Sequence, residues 1–330
     1  MKDPLLSVII PVHNGSQTLG RCLEGLFRSS YARFECIVVD DHSTDSTVRV
    51  AESFDTKVIR MERKQGAAHA RNRGAEASRG DILLFVDADV EVYPDSMEKV
   101  VKAFERNPHI SAFFGSYDDH PGSQNFFSQY KNLFHHYIHQ TSREEASTFW
   151  SAFGAVKREA FFEVGRFNEQ TRMMEDIELG YKLRARGRRI RLHKSIGVKH
   201  LKHFSFSHLL KSDLLDRAVP WTVLMWKYRQ FTDDLNLKLR HRLSAVIPVL
   251  LVVSILMGIL RGWFLWGVPA LLFLYFLFNG DVYAFFLRKR GFLFALKVVP
   301  LHILYYLYSL LGFVIGTFRY FLRIEPSPMR

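Results

Sequence analysis

Over its first half the chain alternates short apolar runs with amphipathic stretches. Residues 5–11 read as a buried strand that stops at a proline, and residues 16–27 as a helix with Leu19, Leu23 and Leu26 on one face. Residues 36–39 form a second apolar run before acidic turn residues. Thr44-Asp45-Ser46 can start the next helix, because their side chains take up free backbone N–H groups. Residues 57–61 predict a short strand, 67–77 an alanine-rich helix, 81–86 another buried strand, and 94–105 a helix with proline near its first turn. Strands alternating with helices predict an α/β fold built on a mostly parallel sheet with helices on both faces.

In such sheets ligands bind beyond the carboxyl ends of the strands. Here those ends carry Pro11-Val12-His13-Asn14, Asp40-Asp41-His42-Ser43 and Asp87-Ala88-Asp89, so three polar clusters are expected to converge on one cleft.

The second half changes solvent. Residues 244–260, 263–280 and 298–318 are long and uncharged or nearly so, each approaching the ~20 residues that cross a bilayer. Core helices of a soluble protein are the alternative. Three such runs in succession, with Trp263, Trp266 and several tyrosines near their ends, favour membrane helices. The expected organisation is an α/β domain over residues 1–203, an amphipathic interfacial linker over 204–242 and a transmembrane region over 243–330. The N-terminus opens at once into a strand pattern without the apolar core of a signal peptide, so the first domain is expected in the cytosol of a multi-pass protein of the cell membrane. Three crossings would place Arg288-Lys289-Arg290 inside but Arg319, Arg323 and Arg330 outside. The last group opposes the positive-inside tendency and leaves room for one re-entrant or interfacial run.

Composition narrows the partners. An apolar share of 48% excludes a disordered chain. The net charge of +12 suits an anionic partner, and basic residues crowd from Arg184 to Lys211, toward the apolar region, as a membrane-facing surface would. The alternative is a solvated basic face. No nucleic-acid module is present, so nucleic acid is not an expected partner. Cys22 and Cys36 lack metal-ligand spacing and read as buried free thiols.

Asp87-Ala88-Asp89 is the central motif. Two carboxylates at a strand end can reach one small ligand, one oxygen binding a hard divalent cation such as Mg²⁺ or Mn²⁺ while the other holds sugar or ribose hydroxyls. Such a metal would neutralise charge on a leaving diphosphate. Asp41 can accept from the N–H of a uracil or guanine ring, and a capped turn is the plainer reading of its segment. Residues 66–74 let a helix start close to a ligand, with its positive end toward phosphate and Arg71 as a fixed cation. Glu175-Asp176 opens a helical pattern in which Asp176 shares a face with Leu179, so its carboxyl points inward and can work as a general base with raised pKa. An acidic pair at a helix N-terminus is the alternative.

In this order, Ser7–Asn14, Val38–Asp45, Gly66–Gly74, Asp87-Ala88-Asp89 and Glu175-Asp176 resemble the family 2 inverting glycosyltransferases of GT-A fold. Residues 150–167, with Gly154, resemble the acceptor-side segment of that family. The resemblance covers roughly residues 5–205. It implies that Asp41 contacts the base in a pocket lined by Pro11 and Asn14, that Arg71 lies near the nucleotide and that Asp87 touches ribose or sugar. It further implies that Asp89 binds the metal, helped by His200, and that Asp176 is the catalytic base, with Glu175 beside it on the acceptor side. The chain departs from the pattern at His13, where tyrosine is common, at Gly15, where an acid is common, and at His42, where glycine is common. Processive relatives carry Gln-x-x-Arg-Trp, whereas Arg217 and Trp221 stand here at a different spacing without the glutamine.

The implied activity is transfer of one sugar from a nucleotide-diphosphate sugar to a lipid-linked or saccharide acceptor at the cytosolic membrane face. A processive polysaccharide synthase is the nearest alternative. A non-catalytic membrane scaffold is opposed by the joint presence of Asp41, Asp87, Asp89 and Asp176. A dinucleotide-dependent oxidoreductase is opposed by the lack of G-x-G-x-x-G after the first strand.

Overall fold

The computed structural model describes residues 4–171, 173–232 and 234–324. Arg330, counted above among the C-terminal charges, lies outside them. The chain forms two compact units, the first ending at His203 and the second beginning at Phe204.

The first unit runs β1 (Leu6–Val12), α1 (Leu19–Phe27), β2 (Phe34–Asp40), α2 (Thr47–Glu52), β3 (Lys57–Arg60), α3 (Ala67–Ala77), β4 (Ile82–Val86), β5 (Val90–Val92), α4 (Ser96–Arg106), β6 (Ile110–Tyr117), α5 (Phe126–Thr141), β7 (Glu145–Ala146), β8 (Phe153–Lys157), α6 (Arg158–Glu163), α7 (Glu175–Ala185) and β9 (Arg189–His200). The strands share one sheet in the order β3-β2-β1-β4-β8-β6-β9-β5, with β7 paired to β9. Its first four strands are parallel. Beyond β4 the sheet is mixed: β8 runs antiparallel to β4 and β6, while β9 is parallel to β6. The strand-helix alternation is regular only up to β4, which β5 follows without a helix, and the parallel block matches that stretch.

Strand β1 passes through Pro11 to Val12, where the sequence suggested a stop at the proline. Its pairing with β4 ends at Ile9↔Phe85, whereas its pairing with β2 continues to Val12↔Asp40. Pro11 thus falls where only one neighbour remains, the position a strand proline tolerates. Helix α4 starts at Ser96 behind Asp95, so Pro94 stands before the helix and not in its first turn. Helix α3 lies tight on the sheet: a Cβ at Gly74 would come 2.4 Å from Ile9 Cγ2. One apolar core of valine, isoleucine, leucine and phenylalanine joins the sheet to its helices, with Cys22 inside it. Both cysteines are free and buried, as expected.

The second unit holds α8 (Phe206–Asp213), a π-helical turn (Leu214–Ala218), α9 (Val219–Tyr228), α10 (Leu239–Leu260), a 3-10 turn (Gly262–Trp266), α11 (Gly267–Arg290) and α12 (Phe292–Phe321). Among the described residues three helical stretches are long and apolar enough to cross a membrane, Leu239–Leu260, Gly262–Arg290 and Phe292–Phe321. Each outlasts the uncharged run that announced it, because helical hydrogen bonding continues into flanking charged residues such as Arg240, Asp281 and Lys297.

Candidate active site

The parallel strands deliver the polar clusters to one edge of the sheet. At the end of β1, Asn14 takes a left-handed conformation (φ 52°). Its N–H donates to Ser43 Oγ at 2.8 Å, and its Oδ1 accepts from Thr44 N–H at 2.8 Å. The β1 and β2 ends are thereby locked together, with His13 Nδ1 2.9 Å from the Asp41 carbonyl oxygen. Asp41 is buried, and its two carboxylate oxygens accept from Gln65 N–H at 2.7 Å and Gly66 N–H at 2.8 Å. It therefore clamps the entry to α3, where Gly66 adopts φ 94°. A carboxylate has about four lone-pair sites, so two backbone bonds leave capacity for a ligand N–H.

Arg71 projects from α3 into the protein. Its guanidinium is buried and donates to Asp87 Oδ1 at 2.7 Å and to Glu175 Oε1. Burial disfavours its charge, but Asp87, Glu175 and Asp176 outweigh burial and hold it firmly protonated. Arg71, expected as a fixed cation, is held between two carboxylates and organises them.

Asp176 lies in the first turn of α7, as the periodicity suggested. Its Oδ2 accepts from Ser151 N–H at 3.2 Å. Burial raises its pKa above the ordinary carboxylate value, and the Asp87 charge adds to the rise, while Arg71 and the backbone N–H groups of Ser151 and Ile177 oppose it. Glu175 is likewise raised, by burial first, against the pull of Arg71. The result is a contiguous group of Asp87, Arg71, Glu175 and Asp176 in which one cation faces three carboxyls.

Asp89 stands two residues beyond Asp87, with its Oδ2 3.6 Å from His200 Nε2 at the end of β9. Burial pushes the Asp89 carboxyl up, yet His200, by charge and hydrogen bond, brings it below the ordinary value. On the far side His200 Nδ1 is 2.7 Å from Asn132 Oδ1 of α5, and its ring stacks on Tyr117 at 4.2 Å between centroids. Among the described residues no group of three or more His, Cys, Asp and Glu side chains is placed to hold a metal. The pair Asp89 and His200 still fits a divalent ion whose remaining positions are filled by phosphate and water, since one carboxylate oxygen and one imidazole nitrogen suit Mn²⁺. Asp89 also borders a cleft of about 300 Å³ lined by Asn14, Asp45, Lys202 and His203.

Residues 7–165 match the family described as Glycosyl transferase family 2. The chain carries a family 2 glycosyltransferase domain of GT-A fold. An uncharacterized glycosyltransferase of Haemophilus influenzae is 33% identical over 189 residues, 54% of this chain and 62% of that protein. The chain thus spans less than two thirds of that relative's length. A mannosyltransferase of Pyrobaculum calidifontis, PcManGT, solved with GDP-Man and Mn²⁺, superposes with a TM-score of 0.60 at 18% identity, covering 98% of this chain and 88% of that one. S. aureus TarS 1-349, solved with UDP-GlcNAc, gives 0.54 at 18% identity, covering 68% and 65%.

Within the family 2 domain, Gly154 has a packing role. A Cβ there would lie 2.2 Å from the Trp150 carbonyl oxygen and 2.5 Å from Phe149 Cζ. Pro11 is half-buried in β1 beside Asn14, which itself stays exposed at the cleft. Sequence reasoning missed Asn132 and Tyr117, because they approach from a helix and a strand that no motif announces, and Ser151 lies in the acceptor-side segment without having been singled out there. Lys202 and His203 were legible only as part of a basic run.

Proposed function

We propose that this protein is a membrane-associated inverting glycosyltransferase that moves one sugar from a nucleotide-diphosphate sugar to a lipid-linked or saccharide acceptor, with its catalytic domain on the cytoplasmic face. The observation that carries this is the half-buried Asp176 carboxyl with raised pKa beside the Asp87–Arg71–Glu175 group, on the sheet edge that also presents Asp89 and His200. The complexes of PcManGT with GDP-Man and Mn²⁺ and of TarS with UDP-GlcNAc support the donor class.

Asp176 takes the proton from an acceptor hydroxyl as its oxygen attacks the anomeric carbon. The bond from that carbon to the diphosphate oxygen breaks on the opposite face, and configuration inverts. Asp41, Asn14 and Pro11 line the base end, and Asp87 is placed for ribose or sugar hydroxyls while Arg71 fixes its orientation. Asp89 and His200 would hold a divalent ion, which supplies charge neutralisation for the departing diphosphate. A phosphate acceptor arrives ionised, and Asp176 then orients it.

The test is a panel of nucleotide sugars with the purified chain, Mg²⁺ or Mn²⁺ and a lipid extract, scored for nucleotide diphosphate release and product mass. One donor should give a product one sugar larger, dependent on metal. Turnover with no donor, or turnover undiminished in chelator and in Asp89→Asn, overturns the assignment.

A further inference from the structure

The three apolar helices do not stand alike. Helices α10 and α11 form a hairpin whose base is tied by an ion pair between Arg240 and Asp281. From Arg240 the α10 arm runs 21 residues to Leu260, and back from Asp281 the α11 arm with its 3-10 turn runs 20 residues to Gly262, each about the length one bilayer crossing needs. Their flanks are lipid-like: Val253, Leu256 and Ile259 of α10 and Phe273 and Leu277 of α11 are exposed.

Helix α12 joins this hairpin near its base. Phe294 stacks on Phe286, and Tyr283 meets His302 at 3.1 Å. Tyr306 hydroxyl donates to Asn279 Oδ1 at 2.9 Å and lies 2.9 Å from His241 Nδ1, at the first turn of α10. Past Tyr306, α12 takes a different neighbour. Tyr308 hydroxyl donates to Asp213 Oδ2 at 2.7 Å, and Trp226 Nε1 donates to Thr317 Oγ1 at 3.0 Å. Between them, a Cβ at Gly312 would lie 2.5 Å from Ala218 Cβ, and one at Gly316 would lie 2.6 Å from Thr222 Cβ. The partners advance together, so residues 213–226 run parallel to residues 308–317, backbone close to backbone.

That pairing decides the side of the membrane. Helix α8 begins three residues after the catalytic unit ends at His203. If α12 crossed the bilayer, residues 206–228 would have to enter it as well, carrying Lys211, Asp213, Asp216, Arg217 and Lys227 into hydrocarbon. Charge placement agrees. With three crossings Arg319 and Arg323 cross to the far side; with two, Arg261 alone of the described hairpin-tip residues is there, and Arg288, Lys289, Arg290, Arg319 and Arg323 share the catalytic side.

We infer that the chain crosses the bilayer twice, by α10 and α11, and that α8, α9 and the C-terminal half of α12 form a platform lying on an anionic lipid surface on the same side as the catalytic unit. Leu215, Leu311, Val314 and Phe318 are exposed apolar side chains that dip into the acyl boundary, while Lys211, Arg217, Lys227 and Arg319 meet lipid phosphates. The inference does not depend on which sugar is transferred.

The test is labelling by a membrane-impermeant maleimide in sealed cells and in inside-out vesicles. The two native thiols are buried, so background is low. Glu62→Cys reports the catalytic unit, Gly262→Cys the hairpin tip, and Leu322→Cys and Met329→Cys the C-terminus. We expect both C-terminal sites to label in the same preparation as Glu62→Cys, and Gly262→Cys in the other. C-terminal sites that label together with Gly262→Cys, or that stay shielded in both preparations while labelling in detergent, overturn it.

Discussion

Arg71 Nη2 donates to Asp87 Oδ1 at 2.7 Å while Nη1 of the same guanidinium holds Glu175. A residue expected as a fixed cation near the nucleotide is thus the counter-ion of the Asp87 and Glu175 carboxyls. Removing one partner of a buried ion pair leaves charge uncompensated and typically costs about 3–5 kcal/mol.

Arg71→Met should therefore lower the denaturation midpoint of the full chain in detergent by an amount of that order. Arg71→Met combined with Glu175→Gln should recover part of it, because the double variant no longer buries the Glu175 charge. An Arg71→Met chain that unfolds with wild type would show that the guanidinium is not the group's counter-ion.

Asn132 orients His200. Its Oδ1 lies 2.7 Å from His200 Nδ1, so an Nδ1–H donated there leaves Nε2, which faces Asp89, able to bind a cation once its own proton is displaced. Loss of the partner that orients a ligating histidine commonly weakens metal binding about 10–100-fold. Asn132→Leu should weaken Mn²⁺ binding to that extent by titration of the electron paramagnetic resonance signal, and Asp89→Asn should abolish it. Unchanged Mn²⁺ affinity in both variants would remove this pair from the metal assignment.

Gly154→Ala should destabilise the domain by at least about 1–3 kcal/mol, the usual range for overpacking. The added methyl meets the Trp150 carbonyl oxygen, which is backbone and cannot rotate away. Thermal unfolding and acceptor KM would be measured together. A stable variant with raised KM alone would return Gly154 to the acceptor-side role its motif implies.

The parallel half of the fold was legible because β1, β2 and β4 are largely apolar runs that end in polar clusters, acidic after β2 and β4. Helix α3 was read from 67 to 77, as found, since Gly66 and Ser78 punctuate it. What escaped was the antiparallel half. Strands β6 and β8 carry Gly115 and Gly154 inside apolar runs and are joined through α5, whose histidines and aromatics blur its helical period. The candidate residues Asp87, Asp89 and Asp176 could be named from strand-end and helix-start positions. Their partners could not, because Arg71–Glu175 and Asn132–His200 are joined only by tertiary packing, across separations of 104 and 68 residues. The same holds in the second unit, where hydropathy alone treats α12 like α10, and only its hydrogen bonds with Asp213 and Trp226 set it apart.

Asp176 separates the two acceptor chemistries through both rate and pH. Its carboxyl is held above the ordinary aspartate value by burial first, with Arg71 pulling the other way. A general base works only when ionised. Turnover should accordingly fall as pH drops through this raised pKa, so the acid limb of the rate profile lies higher than for an exposed aspartate. Asp176→Asn keeps an oxygen for Ser151 N–H but cannot accept a proton. With a hydroxyl acceptor the loss in single-turnover rate should be about 10²–10⁴-fold, donor affinity should hold, and the acid limb should vanish. With a phosphate acceptor the loss should be smaller and fall on acceptor binding, because no proton has to move. Both measurements need saturating donor and a full pH series for wild type and Asp176→Asn. If the variant keeps wild-type rate and the same acid limb, the limb belongs to another carboxyl and the base must be sought there, with Glu175 the first to test.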